Sequence, residues 1–228
     1  MTTIGILGTG RMGVRLALLF AQTGNQVLLA SRDVARAQRI TNSLDHPNLR
    51  PATYSEALTA PVIVPSIFVR DGLLDELVTW KTQLAGKLLI DITNPFNDDY
   101  SDFILPWDTS SAEQIQHRLP ETKVVGAFKN VWWEVFDQPQ FGTEISDVYV
   151  VSDHPEAKQV FFKLVEGSSF RYVDAGRLAN ARTVERMTLL SGEMGQRLGI
   201  KPRLNYKLLG TPWEVGRGNP ELDALIAR

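Results

Sequence analysis

The stretch that decides the fold lies at the start of the chain and reads Thr3-Ile4-Gly5-Ile6-Leu7-Gly8-Thr9-Gly10-Arg11-Met12-Gly13. An apolar run leads directly into glycines spaced G-x-G-x-x-G, and a helical pattern follows over Arg11–Gln22. In this context the spacing is typical of the first strand–helix turn of a dinucleotide-binding domain. Gly8 permits the tight turn, Gly10 lets the backbone approach a pyrophosphate, and Gly13 lets the helix pack closely on the strand.

Apolar runs and helical patterns alternate along most of the chain. The predicted strands are Thr3–Leu7, Gln26–Ala30, Pro61–Val64, Leu88–Ile92, Lys123–Ala127, Asp147–Val151 and Phe170–Val173. The predicted helices are Arg11–Gln22, Val34–Ser43, one near Asp71–Leu84, one starting at Ser110 with capping-box spacing to Glu113, one opening around Asp153–Pro155, and Leu178–Leu198. This alternation predicts an α/β fold with a Rossmann-type, doubly wound parallel sheet.

The chain divides into three predicted parts. Residues 1–143 form the dinucleotide-binding domain, 144–209 a small C-terminal α/β part, and 210–228 a Gly/Pro-rich tail that packs on another surface or stays loose. The first boundary rests on the break at Gly142-Thr143. In the last long helix, apolar residues recur at three- and four-residue steps, as on one helical face: Val184, Met187, Leu190, Met194 and Leu198.

Composition excludes several kinds of chemistry. The 228 residues include no cysteine, so disulfides, thiolate catalysis and cysteine-ligated metals are excluded. A net charge of −2 gives no general reason to expect nucleic acid or an anionic membrane as a partner. No window approaches the ~20 apolar residues of a membrane span, and the N-terminus lacks a signal-peptide pattern. Without either feature, we expect a soluble, cytoplasmic protein. No metal-ligand spacing occurs, so we expect no metal site.

The end of the second strand indicates which dinucleotide is bound. An NAD enzyme places an acid there to accept bonds from the ribose hydroxyls, but this chain has Ala30-Ser31-Arg32. A hydroxyl and a guanidinium suit the 2′-phosphate of NADP(H), which an acid would repel. Thr9 offers a second hydroxyl, Arg36 is a weaker candidate one turn further on, and Asp33 is better placed to cap the next helix.

Two further strand ends are candidates for the nicotinamide half of the cofactor. Pro65-Ser66 and Thr93-Asn94-Pro95 each follow a predicted strand on the ligand side of the sheet. The dipeptides Pro-Ser and Asn-Pro are also common in ordinary turns, so turn chemistry is the alternative interpretation. The predicted cofactor-binding residues are Gly8, Thr9, Gly10, Arg11, Met12, Gly13, Ser31, Arg32, Arg36, Pro65, Ser66, Thr93, Asn94 and Pro95.

Three later stretches carry a family resemblance: Asp91-Ile92-Thr93-Asn94-Pro95-Phe96, Val124-Val125-Gly126-Ala127-Phe128-Lys129-Asn130, and Val173-Asp174-Ala175-Gly176-Arg177-Leu178-Ala179-Asn180-Ala181-Arg182. Together with the glycine loop, they resemble the F420-dependent NADP oxidoreductase family over roughly residues 3–209. The membrane-anchored metalloreductases carry a similar domain.

The resemblance implies an activity and a set of partners. Family members transfer hydride between the nicotinamide C4 of NADP(H) and C5 of coenzyme F420, or N5 of a flavin (FMN or FAD) in the relatives. They bind NADP through a loop hydroxyl and a Ser-Arg pair, which correspond to Thr9, Ser31 and Arg32. The resemblance also implies a small-molecule redox acceptor, a small C-terminal α/β part and a homodimer. It favours carboxamide and ribose contacts over ordinary turn chemistry at Pro65, Ser66, Thr93 and Asn94.

The chain departs from the family where the acceptor would bind. Members often have K-A-F-N-T where this chain has Gly126–Asn130, which introduces Lys129, either a contact for an anionic acceptor tail or a solvated residue. Trp132 and Trp133 replace smaller residues; they stack on the acceptor ring, or fill the core or a dimer interface. The tail also extends past the usual end of the family.

Other polar residues of the chain are interpreted as structural. Asn180, Arg182 and Glu185 are predicted to form a network that joins the two parts of the chain. The histidines, His46, His117 and His154, are interpreted as surface residues.

Two other functions share the glycine loop. A 3-hydroxyacid dehydrogenase or imine reductase usually has a catalytic lysine or acid four residues past an asparagine on the long helix. In this chain the residue four positions past Asn180 is Val184, and Ala179–Leu198 contains no lysine, which counts against this function. A non-catalytic NADP-binding sensor would keep the cofactor site and lose the acceptor site. The two tryptophans and the tail are compatible with such a filled pocket.

Overall fold

A computed structural model describes residues 1–211, 218 and 220–226. The strands are β1 (Thr3–Leu7), β2 (Gln26–Ala30), β3 (Leu49–Ala52), β4 (Val62–Pro65), β5 (Leu88–Asp91), β6 (Lys123–Gly126), β7 (Gln140–Phe141), β8 (Glu144–Ile145), β9 (Asp147–Val150) and β10 (Arg171–Asp174). The helices are α1 (Arg11–Gln22), α2 (Val34–Leu44), α3 (Tyr54–Ala57), α4 (Leu73–Thr79), α5 (Lys81–Leu84), α6 (Ser111–Arg118), α7 (Pro155–Leu164), α8 (Ala181–Arg197) and α9 (Pro220–Ile226).

The main sheet confirms the predicted Rossmann-type fold. Six parallel strands lie in the order β3-β2-β1-β4-β5-β6. The chain therefore winds outward from β1 in one direction and from β4 in the other. In such sheets, ligands bind beyond the carboxyl ends of the strands where the winding reverses. The glycine loop follows β1 and lies at this point.

The sequence analysis missed several short elements, among them β3, α3 and the paired strands β7 and β8. β3 reads Leu-Arg-Pro-Ala, and its proline breaks the apolar pattern of a strand. Proline is tolerated because β3 is an edge strand, where one side of the backbone needs no partner. α3 begins with a capping box between Thr53 and Glu56, a spacing that was readable in the sequence.

The residues after β6 pack against the main sheet. β9 and β10 pair in parallel, and α7 connects them. Reciprocal backbone hydrogen bonds of 2.9 Å between Gly126 and Val151 join this unit to β6. The boundary predicted near residue 143 falls in the turn between β7 and β8, and the division into parts stays a prediction. Of the tail, residues 212–217, 219 and 227–228 lie outside the described residues.

α8 buries a different face from the one that its large apolar residues mark. Val184 is buried, but Leu190 and Leu198 are 55% and 56% exposed. The buried residues of the helix are mostly small or polar: Ala181, Val184, Glu185, Thr188, Ser191, Gly192 and Gly195. A Cβ on Gly192 would lie 3.2 Å from the ring of Trp132, so the small residues allow α8 to approach the loop after β6 closely.

Candidate functional site

The backbone geometry of the glycine loop explains two of its three glycines, Gly8 and Gly13. Gly8 has φ of +121°, a conformation that favours glycine. A Cβ on Gly13 would lie 2.2 Å from the carbonyl oxygen of Gly8, so glycine is needed there for helix packing. A Cβ on Gly10 would meet nothing within 4 Å, and no side chain caps the start of α1. The loop therefore leaves an open helix N-terminus with backbone N–H groups suited to a phosphate.

Hydroxyl and guanidinium groups meet at the carboxyl end of β2. The hydroxyls of Thr9 and Ser31 lie 3.5 Å apart. Arg36 donates to the Thr9 hydroxyl at 3.0 Å and to its carbonyl at 3.2 Å, so it lies nearer this cluster than its position in the sequence indicates. Arg32 follows Ser31 and is exposed, while Asp33 caps α2 by accepting from the backbone N–H of Arg36 at 3.1 Å. The cap is as predicted.

A cavity of about 470 Å³ opens next to the glycine loop, at the carboxyl ends of β1, β4, β5 and β6. Its lining combines residues of the loop with aromatic side chains and two cations. The lining residues are Gly10, Arg11, Met12, Ser66, Ile67, Phe68, Ile92, Thr93, Asn94, Phe96, Tyr100, Phe128, Val131, Trp132, Trp133, Thr188 and Lys201. Among the predicted nicotinamide-site residues, Ser66, Thr93 and Asn94 line the cavity, whereas Pro65 and Pro95 are buried beside it.

Asn94 presents an unpaired acceptor in this cavity. Its side-chain N–H₂ donates to the carbonyl of Lys129 at 2.7 Å and lies 3.4 Å from the hydroxyl of Thr188. That hydroxyl in turn donates to the Lys129 carbonyl at 2.5 Å. These contacts fix the amide orientation and leave the buried Oδ1 without a partner in the described part of the chain. A buried acceptor of this kind favours a ligand that brings an N–H or O–H donor.

Thr93 has a different role from its neighbour. Its hydroxyl and its backbone N–H both donate to Oδ1 of Asp91, at 2.6 and 2.9 Å. The hydroxyl hydrogen is therefore committed to the protein, and Thr93 shapes the turn that follows β5.

Lys129 is neither solvated nor turned toward the acceptor space, so both interpretations made from the sequence are wrong. Its side chain is 0% exposed. The ammonium lies 2.6 Å from Asp91 Oδ2 and 2.9 Å from Glu185 Oε1, and it also donates to the Ser111 hydroxyl at 3.0 Å and to the carbonyl of Thr93 at 2.6 Å. The only sequence signal was a lysine inside an apolar run, where a buried charge needs partners.

The buried carboxylates shift the ionisation of this cluster. Burial by itself lowers the pKa of Lys129, but the charges and hydrogen bonds of Asp91 and Glu185 outweigh burial and raise it above the ordinary value. Burial raises the pKa of Glu185, against the opposing charge of Lys129. Lys129 is thus held in its charged form, without a free lone pair for acid–base chemistry.

The predicted network on α8 is confirmed for two of its three residues. Glu185 accepts from the hydroxyl of Ser111 at 2.8 Å, and Arg182 pairs with Glu113 at 2.6 Å. Both contacts attach α8 to α6. Asn180 instead donates to the carbonyl of Ala175 at 2.6 Å, a contact within its own loop.

The two tryptophans line the cavity without filling it. Trp132 is 6% exposed, donates to the hydroxyl of Ser191 at 3.0 Å and stacks on Phe96, so the core interpretation holds for this residue. Trp133 is half-buried, and the guanidinium of Arg11 lies 4.7 Å from its ring centroid. The two tryptophans therefore do not produce the filled pocket that a non-catalytic sensor would have.

The three histidines do not line the cavity. His117 is exposed as predicted, whereas His46 and His154 are half-buried and hydrogen-bonded to Asn48 and Gln116. Within the described ranges, no group of three or more His, Asp or Glu side chains is placed to hold a metal ion. None of the helices described is both long and apolar enough to cross a membrane.

A parallel sheet with an open glycine loop beside an aromatic cavity defines a Rossmann-type, dinucleotide-dependent oxidoreductase. The family described as NADP oxidoreductase, coenzyme F420-dependent, matches residues 3–95. The F420-dependent NADP reductase of Methanothermobacter thermautotrophicus is 30% identical over 196 residues, which cover 80% of this chain and 84% of that protein. The chain belongs to the coenzyme F420-dependent NADP oxidoreductase family and is an oxidoreductase.

Three further proteins are similar to this chain, and the two solved structures among them, at 24% and 18% identity, show a likeness of fold alone. Metalloreductase STEAP3 of Rattus norvegicus is 30% identical over 188 residues, which cover 82% of this chain and only 36% of that protein. The crystal structure of a putative F420-dependent NADP-reductase from Arthrobacter sp. FB24 has a TM-score of 0.78, with 24% identity over 92% of this chain and 100% of that chain. An imine reductase from Myxococcus stipitatus, with a TM-score of 0.61 and 18% identity over 87% of this chain and 63% of that one, shares the fold alone.

The buried cluster generates a stability prediction. Replacing Lys129 by Met leaves Asp91 and Glu185 buried without a counter-charge, so we expect the free energy of unfolding to fall by about 3–5 kcal/mol. The loss should be smaller at pH 5 than at pH 8, because burial already raises the pKa of Glu185, and without the opposing charge of Lys129 this carboxyl group can protonate at low pH. Chemical denaturation at both pH values measures this.

The matched control for that experiment is Lys163→Met on the exposed side of α7. It removes the same charge from the surface and should change the free energy of unfolding by less than about 0.5 kcal/mol. A loss below about 1 kcal/mol for Lys129→Met would contradict the interpretation of the cluster.

Proposed function

We propose that this chain transfers hydride between NADP(H) and coenzyme F420, with FMN or FAD as the second candidate acceptors. The observation that carries the proposal is the cavity of about 470 Å³ that joins the glycine loop to a wall of aromatic rings. A volume of this order suits a small-molecule site. The names of the relatives from Methanothermobacter support F420 as the acceptor.

The composition of the lining favours hydride transfer to a ring over acid–base chemistry. The cavity-lining residues given above include no histidine, aspartate or glutamate. Hydride transfer between two aromatic rings depends on close placement and on exclusion of water. NADPH would lose a hydride from C4 and become NADP⁺, while the acceptor ring would gain that hydride at C5, or at N5 of a flavin, together with a proton from solvent.

The polar groups of the site suit the two ends of the cofactor. The backbone N–H groups at the start of α1 would bind the pyrophosphate, and Thr9, Ser31, Arg32 and Arg36 would bind the 2′-phosphate. The unpaired Oδ1 of Asn94 would accept a hydrogen bond from the nicotinamide carboxamide. With this placement nicotinamide C4 would lie in the aromatic part of the cavity.

Absorbance of the nicotinamide tests the acceptor. NADPH is mixed with the enzyme and with F420, FMN or FAD in separate reactions. We expect loss of nicotinamide absorbance together with reduction of F420, and slower or no reduction of the two flavins. Tight NADPH binding without turnover on any of the three would overturn the proposed reaction and favour a sensor.

A charge reversal tests the choice of dinucleotide. Arg32→Asp removes a cation and adds an acid where the 2′-phosphate would lie, so we expect kcat/KM for NADPH to fall roughly tenfold to hundredfold while that for NADH holds or rises. Arg39→Asp, an exposed residue further along α2, is the control and should leave the ratio unchanged. Equal use of NADH and NADPH by the unmodified enzyme would refute the assignment.

We further infer a homodimer that uses the exposed apolar side of α8. Leu190, Met194 and Leu198 lie four residues apart and therefore form one stripe along the helix. Ile200 follows the stripe and is also exposed. Apolar area of this kind is favourably covered by a second copy of the chain. The cytoplasmic location expected from the sequence stays a prediction.

The double variant Leu190→Glu/Leu198→Glu tests the dimer. Two charges in a paired apolar stripe would be desolvated, so we expect a monomer by light scattering at a concentration where the unmodified chain is dimeric. Val160→Glu places one charge at an exposed apolar residue of α7 and should stay dimeric. A monomeric unmodified chain would refute this interface.

A further inference from the structure

A second cation, besides Arg11, lines the cavity. The ammonium of Lys201 is 4.8 Å from the ring centroid of Trp132. In the described part of the chain, Lys201 makes no side-chain hydrogen bond and no ion pair with any acid, and no carboxylate lines the cavity beside it. An ammonium has three N–H donors, so this half-buried group has donors to offer to a ligand.

The backbone around Lys201 is well fixed. The N–H groups of Ile200 and Lys201 donate to the carbonyl of Gly195 at 2.8 and 3.0 Å. Leu204 packs against Gly195, where an added Cβ would lie 3.0 Å from it. The segment after α8 is thereby held against the helix, and the cation sits at a defined place rather than on a free end.

The phosphates of NADP(H) have other partners in the proposed cofactor site. The pyrophosphate would bind at the start of α1, where Arg11 lies against Trp133. The 2′-phosphate would bind at the cluster of hydroxyl and guanidinium groups at the end of β2. Lys201 belongs to neither group. It lies over the other tryptophan and lines the same cavity, so it remains available to the second ligand of the proposed reaction.

We infer that Lys201 binds an anionic group on the side chain of the acceptor and makes the enzyme specific for planar acceptors that carry a phosphate or carboxylate. This inference rests on the proposed function, since it concerns the acceptor of that reaction. Trp132 and Trp133 supply aromatic surface for the ring, and Lys201 supplies the charge for its substituent. The role that the sequence suggested for Lys129 is thus assigned to a residue 72 positions later.

Acceptors that share a ring and differ in charge test the inference. Coenzyme F420 carries a phosphodiester and carboxylates, and the riboflavin-like deazaflavin with the same ring ends in neutral hydroxyls. For the unmodified enzyme we expect KM to be roughly tenfold or more lower for F420 than for the neutral analogue. Lys201→Gln should bring the two KM values close together by raising that for F420, with kcat largely unchanged, and Lys201→Arg should retain the preference.

The control variant is Arg197→Gln, which removes one positive charge from the exposed end of α8 and should leave the KM ratio unchanged. Titration with NADPH alone should give the same Kd for the Lys201→Gln variant and the unmodified enzyme. A weaker Kd for NADPH would place Lys201 in the cofactor site and overturn the inference. A KM ratio that Lys201→Gln leaves intact would overturn it as well.

A binding experiment separates this inference from the proposed reaction. Both deazaflavins are titrated into the NADP⁺ complex, and tryptophan fluorescence reports occupancy beside Trp132 and Trp133. Preferential binding of F420 that depends on Lys201 supports the inference even where turnover fails, and that failure would count against the proposed reaction alone. Equal binding of the two deazaflavins to the unmodified enzyme would overturn the inference.

Discussion

Several segments of the chain meet at the ammonium group of Lys129. It contacts Asp91 at the end of β5, Ser111 at the start of α6 and Glu185 on α8. The pairing is needed because an isolated charge at 0% exposure would be strongly unfavourable. Since each of these segments contributes a charge or a hydrogen bond to the same point, α8 is fixed against the carboxyl end of the sheet, and the cavity has a defined wall.

The backbone of the same residue organises the polar part of the cavity. Its carbonyl accepts from Asn94 and from Thr188, and these contacts leave the Asn94 oxygen as an acceptor for a ligand. Phe128, the residue before it, has φ of +58°, a strained conformation for a non-glycine residue. Strain of this kind persists only where the surroundings hold it, and here the lysine cluster and the aromatic core do so.

The cavity has two chemically different ends, and this difference underlies the proposed reaction. The end at the glycine loop offers backbone N–H groups and guanidinium groups, which suit phosphates. The other end offers indole rings and one ammonium, which suit a flat ring with a charged chain. In the proposed reaction a hydride would move between these ends over a short distance, so the enzyme would contribute placement and exclusion of water more than acid–base groups.

Local sequence determined the glycine loop, the strand ends and the alternation of β1, α1 and β2, because these depend on short-range sterics and on the period of apolar residues. It did not determine where Lys129, Thr188 and Lys201 would lie, since their contacts join distant segments that only packing brings together. α8 shows the same limit. Its apolar period indicated a helix, but the small residues of the opposite face decided which side is buried, because close approach to Trp132 requires the absence of side-chain volume.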